Sequence, residues 1–365
     1  MSRRAVRISN WQLSLLVFAA SLGTGPFTFG RTLIGDLGRQ AWMAVVPALV
    51  LGVGGVGLAA AIGRRLPGRS LDRSLVVILS PYATYPYLLA LALLLTADAA
   101  INLHVFAAVS SVAMLQHVPL AYLALLTATG GAFAAYFGPE IVWRCAEAVV
   151  PLALSTLVVA LLAVLANSHW GWLRPVAAPV PSAGVWRLVL MAGGTPGFLP
   201  ALLLAPMTRT PARAAPLAAA VGAAGLILAA SLALPVAVFG MPFATDLHYP
   251  FLTAAATVAW EWLPIHRIVD LQLLVWQLLT FVSVSICLWG GAWLIKRTFR
   301  RLPWAGLVAG PAAICAAAAA LTYPGADQQR FLDAFSVAAV VLGVAGPALL
   351  LAAAGRRSSR QGAAR

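Results

Sequence analysis

The chain has 365 residues, of which 62% are hydrophobic and only 9% are charged. These proportions exclude a soluble globular protein and indicate a polytopic membrane protein. The net charge of +14 does not indicate nucleic-acid binding, because the basic residues lie in short segments between apolar runs.

Ten apolar runs are long enough, at roughly 20 residues each, to span a bilayer. In chain order they cover 11–30, 40–62, 82–112, 118–137, 140–167, 183–206, 215–240, 267–295, 303–322 and 332–354. With the N-terminus inside, the cytoplasmic segments hold 18 of the 24 Lys and Arg residues. The positive-inside rule therefore predicts both termini in the cytoplasm. We expect one transmembrane domain over residues 1–365, with a basic cytoplasmic tail at 356–365.

Clustered glycine and proline interrupt two of these runs. The first run reads Ser-Leu-Gly-Thr-Gly-Pro-Phe at 21–27, and the sixth reads Met-Ala-Gly-Gly-Thr-Pro-Gly-Phe at 191–198. Unwound backbone survives at membrane depth only where protein buries it or where it lines a cavity. Two matched breaks predict inverted repeats at 8–167 and 183–355, with a ligand site between them near the bilayer midplane. The residues of the breaks predicted to bind ligand are Gly23, Thr24, Gly25, Pro26, Gly193, Gly194, Thr195, Gly197 and Phe198.

The chemistry of the breaks suits an anionic group. Unwinding frees backbone N–H groups, and the positive end of the adjoining half-helix favours a carboxylate. Glycine lets a ligand approach the backbone closely, whereas proline fixes where the helix stops. Glycine and proline also permit kinks and close helix packing, so a purely structural role stays open for each break.

A carboxylate lies near the centre of the third predicted helix. Placing isolated Asp98 there costs about 3 kcal/mol on insertion scales, so it must face the protein interior or be protonated. Asn102 follows one turn later on the same face. The pair is predicted to hold an ammonium group, a cation or a proton, or to act as a structural interhelical hydrogen bond. Gln277 is a further candidate to line the cavity. Arg187 is expected to attract anions or to snorkel to the interface, and snorkelling is the favoured interpretation.

Catalytic and metal-binding patterns are absent from the sequence. The three cysteines are scattered through apolar helices, and the five histidines lack the spacing of metal ligands. We therefore expect no cofactor, no metal and no enzymatic activity.

Five segments carry a family resemblance. They are ISNWQLSLL at 8–16, RRLPGRSL at 64–71, RCAEAVVPLAL at 144–154, GFLPALLLAP at 197–206 and PFLTAAATVAWEWLPIHRIVDLQLLVWQLLTF at 250–281. In this order they resemble the spore germination permease family, the B subunits of germinant receptors. That family is similar in fold to the amino acid-polyamine-organocation superfamily.

The resemblance implies an all-α membrane protein of ten helices, a five-plus-five inverted repeat with helices 1 and 6 broken. It implies a small nutrient ligand, an amino acid or similar molecule, and A-type and C-type receptor subunits as partners. It also implies a multi-pass location in the inner membrane of a spore or in the cell membrane, in contact with lipid.

Two positions depart from the family pattern, and one of them is Pro26, which directly follows the Gly-x-Gly of the first break. Where relatives are expected to read Gly-Phe-Glu, this chain has Gly197, Phe198 and Leu199. Because this acidic group is missing, the identity of the ligand stays open. Three functions also stay open: a ligand-sensing receptor subunit, an amino acid permease working by alternating access, and a structural subunit with a degenerate site. Fold alone does not separate these functions.

Overall fold

The computed structural model describes residues 7–23, 25–65, 71–78, 80–115, 117–174, 182–258, 268–321 and 326–352. Their regular structure is helical, apart from one isolated β-bridge between Ile8 and Thr208. The helices are α1 (Asn10–Leu22), α2 (Gly25–Thr28), α3 (Gly30–Leu37), α4 (Val45–Arg65), α5 (Leu71–Ile78), α6 (Pro81–Ala113), α7 (Leu120–Phe137), α8 (Pro139–Ala166), α9 (Ser182–Gly193), α10 (Phe198–Leu204), α11 (Ala214–Phe239), α12 (Met241–Asp246), α13 (Pro250–Ala256), α14 (Ile268–Thr298), α15 (Trp304–Leu321) and α16 (Ala326–Val340). A π-helical turn at Val341–Ala345 continues α16.

Within the described residues, eight helical stretches are long and apolar enough to cross a membrane. They are Gly30–Arg65, Pro81–Ala113, Leu120–Phe137, Pro139–Ala166, Ala214–Phe239, Val269–Thr298, Trp304–Leu321 and Gln328–Ala352. Each of the two interrupted helices consists of pieces that are too short to span a membrane alone. The first consists of α1 and α2, followed by α3 at the start of the Gly30–Arg65 stretch, and the second consists of α9 and α10. The all-helical, multi-pass architecture is confirmed, whereas the inverted repeat stays a prediction. The predicted tail at 356–365 lies outside the described residues.

Local sequence sets both ends of α1. The Ser9 hydroxyl accepts a hydrogen bond from the Gln12 N–H at 3.1 Å, and the Gln12 side chain accepts from the Ser9 N–H at 3.0 Å. This reciprocal capping box starts the helix. The helix ends at Gly23, whose φ of +41° is a conformation that favours glycine. The first break therefore follows from the residues around it.

A tight turn forms the second break. The N–H of Gly194 donates to the carbonyls of Leu190 and Met191, both at 3.1 Å, and closes α9. Pro196 has no N–H to continue the ladder. The chain then turns through a bond from the Gly197 N–H to the Thr195 carbonyl at 2.9 Å, and α10 begins at Phe198.

Helix α14 packs against α6, α7 and α8 and supplies donors to the end of α1. The indole N–H of Trp276 donates to the Gly23 carbonyl at 2.7 Å, and the Ser283 hydroxyl donates to the Ala19 carbonyl at 3.1 Å. The Gly23 carbonyl lies beyond the last helical turn, and in a bilayer an unpaired carbonyl costs several kcal/mol. The Ala19 carbonyl also accepts from the Gly23 N–H at 2.8 Å. The α1 end is therefore stabilised by side chains of a helix more than 250 residues away in the chain.

Two adjacent glycines of α4 provide a test of the packing. A Cβ added at Gly55 would lie 2.7 Å from the Cβ of Phe198, whereas one added at Gly54 would meet nothing within 4 Å. We expect Gly55→Ala to destabilise the protein by about 1–3 kcal/mol through overpacking. Gly54→Ala should be neutral or slightly stabilising, because alanine favours helix. Thermal unfolding of both variants in detergent measures this, and equal midpoints would contradict the packing described.

Candidate functional site

The two breaks meet at a cavity inside the bundle. Five of the predicted residues line it: Gly23 and Gly25 from the first break, Gly194 from the second, and Asp98 and Asn102 from α6. The space that the centre of a water molecule can occupy is about 20 Å³. That volume holds about one water molecule and is far below the several hundred Å³ of a typical ligand pocket. The structure is therefore a closed form of the cavity.

Asp98 is the acidic group of the cavity and is 5% exposed. Its Oδ1 accepts a hydrogen bond from the Asn102 Nδ2 at 2.9 Å, and its Oδ2 accepts from the Cys287 thiol at 3.2 Å. The predicted pairing of Asp98 and Asn102 is thus confirmed. Among the described residues no cation pairs with Asp98. Because a carboxylate has about four lone-pair positions, this arrangement leaves acceptor capacity toward the cavity.

Glycine is needed at the first break for space as well as for backbone conformation. A Cβ on Gly23 would lie 3.1 Å from the Asn102 Oδ1, and one on Gly25 would lie 2.9 Å from a methyl group of Leu228. Both positions bring bare backbone close to other groups. The first break is therefore both part of the cavity wall and a packing surface.

The other predicted site residues lie elsewhere. Gly193 packs on the backbone of Ser336, and Gly197 packs on Ser21. Gln277 donates to the Thr127 hydroxyl on α7 at 2.7 Å. Phe198 is buried beside Gly55 and Gly343. Thr195 lines a smaller pocket with Val45 and Leu228. Pro26 is buried, and Thr24 lies outside the described residues.

The sequence reasoning missed several residues of the cavity wall. Ser21 is 4% exposed, and its hydroxyl has no hydrogen-bond partner among the described residues. The signal that could have identified Ser21 as a wall residue was its position in the glycine-proline segment at 21–27. The other wall residues that were missed include Pro196 of the second break and the apolar side chains of Phe29, Leu332 and Phe335. No pattern in α16 indicated that two of its apolar side chains would line the cavity.

A cluster of polar side chains joins α3, α9 and α16 at one end of the bundle. The charge distribution predicts that this end faces the outside. Arg187 on α9 donates to Asp36 on α3 at 2.9 Å and to Asp333 on α16 at 3.0 and 3.1 Å. Gln329 also donates to Asp333 at 2.8 Å. Two carboxylates thus pair with the Arg187 guanidinium, and the expectation that this side chain snorkels to the interface stays a prediction. Asp333 is next to Leu332 of the cavity wall, so this outer cluster, made of Arg187, Asp36, Asp333 and Gln329, joins α3, α9 and α16 close to the cavity in the chain.

Hydrogen bonds also join the opposite ends of the two interrupted helices. The Arg209 N–H donates to the Ile8 carbonyl at 2.9 Å, and its guanidinium donates to the Arg7 carbonyl at 3.1 Å. Asn10 donates to the Thr210 hydroxyl at 2.9 Å and accepts from the Arg213 N–H at 3.1 Å. Polar contacts therefore join the interrupted helices to each other at one end of the bundle and to α16 at the other.

The family model described as spore germination protein matches residues 7–322. The chain belongs to this spore germination family. Among curated proteins, none matches it in sequence.

Several solved structures are similar in fold to this spore germination family member. MhsT in complex with L-phenylalanine has a TM-score of 0.70 at 13% identity, covering 96% of this chain and 89% of that one. The Eremococcus coleocola manganese transporter has a TM-score of 0.65 at 14% identity, covering 92% and 76%. A Na⁺-coupled sialic acid symporter has a TM-score of 0.64 at 12% identity, covering 96% and 76%. These similarities show the fold, which agrees with the resemblance to the amino acid-polyamine-organocation superfamily.

Leu199, where the family resemblance leads us to expect Glu, lies outside the cavity wall. Leu199 is 3% exposed and lies beside Gly343 in the π-helical turn, and it is not among the residues that line the cavity. Among the described residues, the polar side chains of the wall are those of Ser21, Thr28, Asp98 and Asn102. No cluster of metal-ligating residues occurs in the part of the chain that the structure describes.

Cysteine labelling tests whether the outer cluster keeps the cavity closed. With Cys145→Ala, Cys287→Ser and Cys315→Ala as background, Phe335→Cys places one thiol in the cavity wall. We expect Arg187→Gln to increase the rate at which a membrane-impermeant maleimide labels this thiol by about tenfold. A tenfold change corresponds to the loss of an interaction of about 1.4 kcal/mol that keeps the cavity closed.

Arg144→Gln is the control for this experiment, because it removes an exposed ion pair with Glu140 on α8, away from the cavity. Labelling at the same rate with and without Arg187 would contradict a closing role for the outer cluster.

Proposed function

We propose that this protein is a membrane subunit of a spore germinant receptor and binds a small nutrient carrying an amino group, of the amino acid class, between its two broken helices. The observation that carries the proposal is the cavity where both breaks meet a buried carboxylate. Binding would signal germination without a chemical reaction. We therefore propose no enzymatic activity.

The amino group of the ligand is assigned to Asp98. A carboxylate at low exposure attracts a cation more strongly than it would in water, because the surrounding dielectric is low. Its two present hydrogen bonds orient it without occupying all its acceptor positions. The carboxylate of the ligand is assigned to the backbone of the breaks. The L-phenylalanine complex of the similarly folded MhsT supports the amino acid class.

Ligand binding requires the cavity to enlarge, since about 20 Å³ does not hold an amino acid. The closing contacts join α3, α9 and α16 at one end and the segments around Ile8 and Thr208 at the other. A ligand shifts such an equilibrium only by its difference in affinity between the states. We propose that this shift of the broken helices is the signal passed to the partner subunits.

A thermal-shift screen of the purified protein tests the proposal. Amino acids, sugars and nucleosides are added separately, since a ligand that binds only the folded state raises apparent stability. We expect a ligand with an ammonium group to raise the unfolding midpoint, and a matched analogue without that group to raise it less. Stabilisation by sugars or nucleosides alone would contradict the assigned ligand class.

The second candidate function is an amino acid permease that works by alternating access. The specific observation in its favour is that polar contacts join the interrupted helices at both ends of the bundle, as two gates would require. Uptake of a radiolabelled amino acid into proteoliposomes distinguishes the two. Robust accumulation by this protein alone would overturn the receptor-only proposal.

The partners and location proposed are those of the family resemblance: A-type and C-type receptor subunits, and the inner spore membrane or the cell membrane, with both termini cytoplasmic. We also propose that residues 8–167 and 183–355 are the two inverted repeats. Co-purification of tagged protein with both subunit types from spores tests the assembly, and its recovery without them would contradict it.

A further inference from the structure

A basic recess lies at the end of the bundle opposite the outer cluster, away from the ligand cavity. It is lined by Tyr85 near the start of α6 and by residues 297–302, which end α14 and form the turn after it. The space open to the centre of a water molecule is about 630 Å³, compared with about 20 Å³ in the ligand cavity. The charge distribution predicts that this end faces the cytoplasm.

Hydrogen bonds hold the turn that forms the recess. The Lys296 ammonium donates to the carbonyls of Arg300 at 2.7 Å and Leu302 at 2.5 Å. The N–H of Phe299 donates to the Ile295 carbonyl at 2.7 Å. A lysine that satisfies carbonyls at a helix end also interacts favourably with the helix dipole. The backbone of the turn that carries Arg300 and Arg301 is thus held by hydrogen bonds within the chain.

The charges of the recess are only partly neutralised. Arg297 is 3.7 Å from a carboxylate oxygen of Asp72 and stacks on Trp293 at 4.9 Å. Arg300 and Arg301 form no ion pair with any described residue. The recess therefore presents two exposed guanidinium groups without a counter-charge.

An apolar surface lies beside these two arginines. Phe299 is 50% exposed and Leu302 is 42% exposed, and both line the recess. Tyr85 on α6 is 38% exposed. Aromatic side chains at this position of a membrane protein lie at headgroup level. Cationic and apolar groups are therefore adjacent where a lipid presents its phosphate and its acyl chains.

We infer that the recess binds an anionic phospholipid of the cytoplasmic leaflet. Arg300 and Arg301 hold the phosphodiester, because guanidinium groups bind phosphate oxygens through paired hydrogen bonds. Phe299 and Leu302 contact the upper part of an acyl chain. Basic pockets between helices on the cytoplasmic side recognise anionic headgroups in this way. The site is independent of the nutrient cavity and of its ligand.

Native mass spectrometry of the full-length protein tests this site. Protein in detergent is titrated with phosphatidylglycerol or phosphatidylcholine of matched chain length. We expect one phosphatidylglycerol to bind preferentially, and Arg300→Gln with Arg301→Gln to weaken it about 10- to 30-fold. Leu302→Asn should weaken the lipid while leaving the arginines in place, so it tests the acyl-chain contact separately.

The matched control is Arg7→Gln with Arg213→Gln, which removes two exposed arginines at the same end of the bundle. Affinity within about twofold of wild type in this control supports the site. Equal binding of phosphatidylcholine, or equal loss in the control, would overturn it. Displacement of the lipid by millimolar inorganic phosphate, with no effect of Leu302→Asn, would show a site for a soluble phosphate and would also overturn it.

Discussion

Asp98→Asn is expected to lower affinity for the amine-bearing ligand by about 100-fold or more and to leave affinity for an uncharged analogue nearly unchanged. Removing one partner of a buried ion pair typically costs 3–5 kcal/mol, and each 1.4 kcal/mol is a factor of ten. The substitution keeps the shape of the side chain, so its carbonyl still accepts from Asn102. The ligand-free protein should therefore fold normally. Binding is measured by calorimetry with the strongest ligand of the thermal screen.

Asp246→Asn is the charge-matched control for Asp98, because Asp246 is an exposed residue at the end of α12. Its affinity should equal that of wild type. If Asp98→Asn weakened charged and uncharged ligands by the same factor, Asp98 would have only a structural role.

Gly194→Val is expected to abolish ligand-induced stabilisation while the protein still inserts and folds. A Cβ at this position would overlap the ring of Phe29, which forms part of the cavity wall. The added side chain would push this ring into the space that the ligand must occupy. We expect an affinity loss of at least about 100-fold, the scale of a steric block that repacking does not relieve. Thermal shift in the presence of the ligand measures it.

A second substitution separates this block from general misfolding. Adding Phe29→Ala to Gly194→Val removes the overlapping ring, so part of the stabilisation by ligand should return, as expected for two residues in contact. Gly222→Val is the control, since a Cβ there meets nothing within 4 Å. A loss in the control, or a double variant no better than the single one, would contradict this account of Gly194.

The positions of the breaks were predictable because the chemistry is local. A positive φ at Gly23 and the missing N–H of Pro196 act within a few residues of the chain. Asp98 and Asn102 were predictable for the same reason, since residues four apart in a helix share a face. These signals needed no knowledge of the tertiary structure.

Which residues of the second break face the cavity could not be predicted in the same way. Successive residues of the 194–198 turn point to different neighbours, so Gly194 lines the cavity whereas Thr195 and Phe198 pack elsewhere. The side-chain direction of each residue in an irregular turn depends on its own dihedral angles and not on a fixed period.

The role of Arg187 depended on distant partners. Asp36 and Asp333 lie about 150 residues before and after it, and only the packing of α3, α9 and α16 brings them together. The same packing places Phe335 in the cavity wall. Contacts between residues so far apart in the chain leave no signal in a single sequence. The outer cluster could therefore be found only in the structure.

Protection of a single cysteine by ligand is the most direct test of the central claim that the cavity between the breaks is the ligand site. In the Cys145→Ala, Cys287→Ser, Cys315→Ala background, Phe335→Cys reports on the cavity wall and Leu115→Cys reports on an exposed position after α6. We predict that saturating amino acid slows maleimide labelling of the first thiol at least about fivefold and leaves the second unchanged, because the bound ligand excludes the reagent. Equal labelling rates at the cavity position with and without a ligand that demonstrably binds would place the site elsewhere.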